Sequence, residues 1–369
     1  MRVVVCTIVH HPADARIYHR QIKALLDAGH EVNYLAPVNG RDIISEQKSP
    51  LLHVTPLPRA AGRRRFGALL AARRQLTRYA ATADVVLLHD PELLLALPRV
   101  LYRKNRGGAT VWDVHEDTAA ALSTKPWLPR PLRPPTAMAV HAAERIAERR
   151  MHLILAERGY MARFRKPHPV VPNTTYVPEA PSCYDGQRRV VYVGHLSPDR
   201  GVTEMISLAV LLRPHGIAVH LIGPADARAR ALIEACVEVR WHGFMPNDEA
   251  MRFTDGALAG LSMLQDEPNF RHSMPTKVVE YMARGVPVIS TPLPLAVDLV
   301  QRHQCGFVVP FGDAPAAARA ILGLDREPGL RTAMGGRGHA AARDSLGWPA
   351  DAKEFVAQLE AWGSGCAAG

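Results

Sequence analysis

The feature that most constrains this chain is an alternation running from end to end: short, β-branched apolar runs followed by amphipathic stretches with helical spacing. A run such as "MRVVVCTIV" has the length and composition of a strand buried on both faces, whereas "DARIYHRQIKALLDAG" repeats its apolar residues at helical period and stops at Gly29. Strands separated by helices make parallel sheets covered by helices on both faces, so the fold class is α/β. In the first half, strands are expected at 2–9, 31–36, 84–89, 109–114 and 151–156. In the second, six more are expected in "RRVVYVGHL", "IAVHLIG", "CVEVRWHG", "GALAGLSML", "GVPVIS" and "CGFVVP".

With 369 residues the chain exceeds one comfortable core and predicts two domains. The stretch 167–186 holds five prolines and no periodicity, and the alternation restarts after it. The expected division is therefore a first domain at 1–172, a linker at 173–186, a second domain at 187–346 and a final helix at 347–369, which can pack back on the first domain.

Several function classes fall away. At 47% hydrophobic and 22% charged, the chain is neither disordered nor membrane-spanning; charge and proline interrupt every apolar run short of the roughly 20 residues a spanning helix needs. The amino terminus lacks a signal peptide's cleavage site, so the expected location is cytoplasmic. Five scattered cysteines without a C-x-x-C pair suggest neither disulfides nor structural zinc. No H-x-x-x-H or H-E-x-x-H pair occurs among the 17 histidines, and adjacent His10 and His11 cannot easily face one ion, so no metal is expected. The turns "VHHPADAR" and "GHLSPDRG" lack G-x-G-x-x-G, and no P-loop motif is present, which weakens dinucleotide and nucleoside triphosphate readings. The net charge of +10 is uneven: residues 1–175 hold 27 basic and 14 acidic side chains, residues 176–369 hold 18 and 21.

The stretch "RHSMPTKVVEYMARGVPVIS" (271–290) is the most suggestive of chemistry. Pro275 suits the first turn of a helix, Ser273 suits its N-cap, and Lys277 with Glu280 at i, i+3 share one face near the N-terminus. A helix start offers free amides to an anion; Lys277 could hold a phosphate there while Glu280 accepts hydrogen bonds from ribose hydroxyls. On spacing alone, an ordinary surface salt pair is the better reading. His89-Asp90 and His115-Glu116 sit just past the carboxyl ends of expected strands, where α/β proteins bind ligands. Asp113 lies inside its strand and is at least as well explained as a buried, paired carboxylate.

The stretch "EYMARGVPVIS" resembles the donor-site helix of retaining GT-B glycosyltransferases of family 4, whose hallmark is E-x7-E. Glu280 stands at the second glutamate, which in the family binds the donor's ribose; His272 stands at the first. The branch it looks closest to carries "S-x-P-T-K-x-x-EYM", matched here by Ser273, Met274, Pro275, Thr276 and Lys277. "HHPADARIYHRQIKALLDAGHEV" looks like the branch's opening loop and helix, with Asp14 and Arg16 in place of a glycine-rich loop, and "LLHDPELLL" with "VWDVHEDTAAALSTKPWLP" resembles its HDPE and DVHED signatures. "VYVGHLSPDRGVTEMI" resembles the stretch that opens the donor domain, with Gly194 and His195 at its turn and Arg200 at the place of a lysine.

The resemblance covers nearly the whole chain. It implies two Rossmann-like domains facing each other across a cleft, an acceptor domain followed by a nucleotide-sugar domain. It also implies metal-independent transfer of a sugar, with retention, from a nucleoside diphosphate sugar such as a UDP-sugar to an acceptor in glycan, glycolipid or glycosylated-metabolite synthesis. Arg200 and Lys277 would neutralise the departing diphosphate, and His115 matches the family histidine near the donor sugar. Asp14, Arg16, His89, Asp90 and Glu116 would line the acceptor site or the cleft. Two rivals stay open: a sugar-nucleotide epimerase of the same layout, which needs acid/base carboxylates, and a non-catalytic nucleotide-sugar binding module, which His272 makes conceivable.

The stretch "RRRFGALLAARRQLTRYA" (63–80) sets Phe66, Leu69, Leu70 and Leu76 against Arg63, Arg64, Arg65, Arg73, Arg74 and Arg78. Its residues 63–78 could meet an anionic membrane, although a solvated helix face is the simpler reading. No aromatic interleaving supports nucleic-acid binding.

Overall fold

The structure is a computed structural model that describes residues 1–38, 49–102, 108–123, 129–271 and 273–365. The chain divides into two compact units, Met1–Asn173 with Pro349–Gly369, and Thr174–Trp348. Each is built on a six-stranded sheet in which every neighbouring pair is parallel.

The strands of the first unit are β1 (Arg2–Cys6), β2 (Glu31–Ala36), β3 (Leu52–Pro56), β4 (Val85–Leu88), β5 (Ala109–Val114) and β6 (His152–Leu155), in the order β3-β2-β1-β4-β5-β6. Those of the second are β7 (Arg189–Val193), β8 (Ala218–Ile222), β9 (Val239–Trp241), β10 (Ala259–Ser262), β11 (Val288–Ser290) and β12 (Gly306–Val308), in the order β12-β11-β10-β7-β8-β9. Both are the 3-2-1-4-5-6 order of a Rossmann sheet, and each reverses strand order once, between β1 and β4 and between β7 and β10. At such a reversal the connections leave to opposite faces, and a crevice opens at the carboxyl ends of the two strands.

The strands are almost wholly apolar because helices cover both faces; β4 reads VVLL and is buried throughout. Strand β3, "LHVTP", was not expected. It is an edge strand with only partial burial, and its proline and histidine dilute the β pattern. β1 ends at Cys6 and not at residue 9, because Asp90 accepts hydrogen bonds from the Ile8 and Val9 amides and draws the chain out of the sheet.

The covering helices of the first unit are α1 (Lys23–Asp27), which continues a π-helical turn at Ile17–Ile22, then α2 (Arg65–Tyr79), α3 (Leu93–Ala96), α4 (Thr118–Ser123) and α5 (Arg133–Arg150). Those after β7 are α6 (Val202–Leu212), α7 (Ala227–Glu234), α8 (Asn247–Thr254), α9 (Pro268–Arg271), α10 (Thr276–Ala283), α11 (Pro294–His303), α12 (Ala314–Arg326), α13 (Pro328–Ser345) and α14 (Trp348–Gly363). From Pro349 onward α14 belongs to the first unit, where the Trp362 and His152 rings stack at 4.5 Å and His30 Nε2 lies 3.0 Å from Glu360 Oε1. The proline-rich stretch from Thr174 onward belongs to the second unit: the Thr175 amide donates to the Leu346 carbonyl, and Ser182 donates from both its amide and its hydroxyl to the Arg284 carbonyl. No described helix is long and apolar enough to cross a membrane.

One glycine is required where α6 starts. Gly201 has φ +84°, and a Cβ there would lie 2.1 Å from the Met263 carbonyl oxygen, so the chain after β7 can approach the end of β10 only without a side chain. Gly201→Ala should therefore cost about 2 kcal/mol or more, strain and clash together, measured as a lower urea midpoint.

Candidate functional site

In the second unit the functional residues gather at the β7/β10 reversal. Gly194 follows β7 with φ +137°, a conformation that favours glycine, and a Cβ there would lie 3.7 Å from Lys277 Nζ. The lysine thus sits against the backbone of the β7 turn. α10 is held beneath that turn by Tyr281, whose hydroxyl accepts from the Val193 amide at 3.0 Å and donates to the Leu261 carbonyl at 3.3 Å, tying the helix to the strand ends of β7 and β10.

Seven of the eight residues of α10 are buried, Lys277 and Glu280 among them. These two are therefore not an exposed salt pair, and a buried charge without a purpose is costly. The ammonium of Lys277 lies 5.0 Å from the centre of the Tyr192 ring, whose hydroxyl donates to the His195 carbonyl at 2.7 Å. Arg200, at the end of a 3₁₀ turn (Pro198–Arg200), stands 5.7 Å over the Phe270 ring. Burial and then the neighbouring Arg200 cation push the Lys277 pKa down from its ordinary value to about 7, with Glu280 opposing them. His195 is lowered by burial and by Arg200. Two cations crowd one place, and an anion would relieve them.

The helix starts later than expected. Pro275 is the N-cap, with extended backbone (φ −70°, ψ 102°), and no side chain caps it, so Ser273 is not the cap. The cause is steric: a proline bars the residue before it from helical geometry, so Met274 cannot join the helix. Ser273 and Met274 are half-buried, as is Thr276 at the first helical position, whereas Pro275 is buried. His272 lies outside the described residues.

The first unit gathers its polar residues at the β1/β4 reversal. Arg16 donates from Nε and Nη2 to the two oxygens of Asp113, at 2.7 and 2.6 Å, and from Nη1 to Asn173 Oδ1 at 2.9 Å. Gln21 adds a 3.0 Å bond to Asp113. Asp113 is fully buried; burial would raise its pKa, but Arg16 overrides this and holds it well below the carboxylate range. His89 is also fully buried, with Nδ1 3.2 Å from Asp113 Oδ2 but out of line for a hydrogen bond. Asp90, 1% exposed, accepts from the Thr7 hydroxyl as well as from the Ile8 and Val9 amides. Arg16, His89 and Asp90 therefore lie inside the domain and shape the loop after β1; they do not line its surface. Asp14 is half-buried and takes the Arg16 and Ile17 amides on Oδ1, fixing the start of the π-helical turn, while Glu116 is exposed.

On this base stand two histidines. His115 Nε2 lies 2.9 Å from His10 Nε2, and His115 Nδ1 lies 3.1 Å from the Asp113 carbonyl oxygen. His10 also lies 3.4 Å from Asp90 Oδ1 and 3.8 Å from Asp14 Oδ2. Burial works against charge on His10, but Asp14, with Asp90 and Glu116 behind it, raises its pKa to about 9; burial and then His10 lower that of His115.

Among the described residues, two groups have donor atoms close enough for a metal ion: His10, His115 and Glu116, and His89, Asp113 and His115. The first would have to break the His10–His115 bond, and the second already serves the Arg16 guanidinium, whose charge opposes a dication.

Residues 187–326 match the family described as Glycosyl transferases group 1. The matched segment lies in the second unit. Within it fall Gly194, His195, Arg200, Lys277 and Glu280, the whole cluster at the β7/β10 reversal. Curated relatives include the amylovoran biosynthesis glycosyltransferase AmsK of Erwinia amylovora, 28% identical over 37% of this chain and 36% of the relative. Another is the putative colanic acid biosynthesis glycosyltransferase WcaL of Escherichia coli, 29% identical over the same shares. The match thus spans little more than a third of the length of these relatives. Among solved structures, sucrose-phosphate synthase of Thermosynechococcus elongatus superposes with TM-score 0.74 at 19% identity, covering 97% of this chain and 98% of that one. Anabaena HepE in complex with UDP-glucose gives TM-score 0.74 at 12% identity, covering 98% and 100%. The fold is GT-B, two Rossmann-like domains.

Sequence reasoning missed His10 as a partner of His115. The signal is the pair of histidines after β1, whose spacing speaks only against a shared metal ion and says nothing of a partner on another strand. Outside the matched segment, α2 differs from expectation: Leu76 is in the core and Leu69 packs on it, leaving Phe66 and Leu70 exposed among the exposed Arg63, Arg64, Arg65, Arg73, Arg74 and Arg78.

Proposed function

We propose that the protein is a retaining glycosyltransferase that takes a sugar from a nucleoside diphosphate sugar, UDP-linked, and gives it to an acceptor in glycan or glycolipid synthesis. The observation that carries this reading is the cluster of Arg200 and Lys277 beside the Gly194 turn, two cations crowded where the matched segment has its strand-order reversal. The names of the relatives, in amylovoran and colanic acid biosynthesis, and the UDP-glucose complex of HepE support the same class of donor and product.

The chemistry follows from charge. As the glycosyl bond breaks, positive charge grows on the sugar carbon and negative charge on the departing diphosphate. Cations aimed at the diphosphate lower the transition state more than the ground state. Arg200 and Lys277 fill that role without a metal ion; Glu280, one turn into α10, accepts from the ribose hydroxyls. Ser273, Met274 and Thr276 lie around the helix start, whose first amides have no partner within the helix and suit the phosphate oxygens. The leaving phosphate takes the acceptor's proton on the same face, so no enzyme nucleophile is required, and His115 is given its part in transfer by the family resemblance of its motif. Phe66 and Leu70, rimmed by arginines, support peripheral contact with an anionic membrane through residues 63–78.

Calorimetry on two variants tests this. Glu280→Ala should lose UDP binding by 100-fold or more, about 3 kcal/mol for a buried carboxylate bonded to two hydroxyls. His115→Ala should keep binding within a few-fold and lose transfer. Intact UDP affinity in the first variant would refute the assignment.

A further inference from the structure

We propose that His10 is a positioning residue which, by donating a hydrogen bond to His115, holds that ring neutral with its proton on Nδ1; the consequence for turnover rests on the glycosyltransferase reading above. The inference comes from what each nitrogen faces. His115 Nδ1 lies 3.1 Å from the Asp113 carbonyl oxygen, which can only accept, so the proton of the neutral ring is on Nδ1. Its Nε2 is then a bare lone pair, and the atom 2.9 Å away, His10 Nε2, must be the donor. The His10 ring is placed to carry charge. Asp14 faces its Nδ1 at 3.8 Å, Asp90 faces its Nε2 at 3.4 Å, and Glu116 adds a more distant negative charge.

The surroundings fix the geometry. Asp14 is held by the Arg16 and Ile17 amides, and Asp90 by Thr7, Ile8 and Val9, so both carboxylates are anchored by backbone and neither can follow a moving ring. The two rings meet edge to face, with centroids 4.8 Å apart, and the pair holds one proton more than two neutral rings do. That extra proton stays on the carboxylate side. A charged His115 would oppose the positive charge that grows on the sugar carbon; keeping the cation one ring back, between Asp14 and Asp90, leaves a neutral imidazole at the reacting end.

The test begins with the wild-type protein. Long-range ¹H–¹⁵N correlation spectra should show His115 as the Nδ1–H tautomer and neutral at pH 6, with His10 doubly protonated up to about pH 8. A His115 found with its proton on Nε2, or charged at pH 6, overturns the proposal without any variant. His10→Leu removes the donor and leaves the Asp113 carbonyl as the one remaining constraint on the proton, so His115 should gain a detectable Nε2–H population beside Nδ1–H, and kcat should be about 100-fold lower with KM for the donor little changed. His10→Gln keeps an N–H donor without charge; it should restore the Nδ1–H tautomer and recover kcat to within about tenfold, with a changed pH profile. Equal loss in both variants, or a wild-type tautomer in His10→Leu, overturns it. If neither variant nor wild type transfers sugar from any nucleoside diphosphate donor while the spectra are as described, the functional reading fails and the histidine geometry stands.

Discussion

Lys277→Met should lower kcat/KM for a nucleotide-sugar donor by about a thousandfold. An ammonium about 4 Å from a phosphate charge is worth roughly 4 kcal/mol at an effective dielectric of 20, and most of that acts on the departing diphosphate. A loss below tenfold would mean that Lys277 does not face the leaving group. The same residue sets a pH dependence. Its pKa in the free protein is about 7, because burial and then Arg200 disfavour the ammonium form. A diphosphate reverses that balance and raises the pKa, so binding takes up a proton over the interval between the two values. At pH 8 the free lysine is about nine-tenths neutral, and binding an intact UDP-sugar should draw in close to one proton, measured by calorimetry in buffers of different ionisation enthalpy. Affinity should fall by up to about tenfold per pH unit above 7, and Lys277→Met should abolish both effects. The intact donor is the right probe, since its diphosphate diester gains no proton of its own in this range.

Asp113→Asn should destabilise the protein by about 3–5 kcal/mol, because it leaves the buried Arg16 guanidinium without its counter-charge. For a unit of this size that corresponds to a fall in Tm on the order of 10 °C. The double variant Arg16→Met with Asp113→Leu should recover much of the loss, since apolar groups can fill the site of a buried pair at little cost. The sign of the pH effect follows from the depressed pKa. The carboxylate's contribution is fully present above its ordinary value near 3.8 and is lost as pH falls below that through the lower folded value. Wild type should therefore lose stability in acid more steeply than Asp113→Asn. Equal acid slopes would show that Asp113 is not the group that couples folding to protons.

Much of the architecture was legible in the chain. The six strands of the second unit stand where their apolar runs lie; the four inner ones, β11, β10, β7 and β8, are covered on both faces and must be apolar, and few other segments are. β3 escaped because an edge strand with one exposed face carries a weaker pattern. Between Leu93 and Tyr102 the chain forms α3 and a 3₁₀ turn at Arg99–Tyr102 in place of one helix, because Pro98 falls between them. Of the candidate site, Gly194 and Arg200 were marked by the family resemblance of the stretch after β7, while Lys277 and Glu280 could be picked out at a helix start. That Lys277 and Glu280 are buried could not, since i, i+3 spacing is the same on a solvated helix.

What the sequence determined by itself is the order of elements and the residues at the strand ends, because hydrophobic periodicity and glycine or proline punctuation act over a few neighbours at a time. What only the tertiary structure decided is which of those residues work together. His10 and His115 are 105 residues apart, and Arg16 and Asp113 are 97 apart. Their pairing depends on β1 lying beside β4 and β4 beside β5, and the charge each group carries depends on burial among those partners. Both are properties of the assembled sheet, and no local pattern records them.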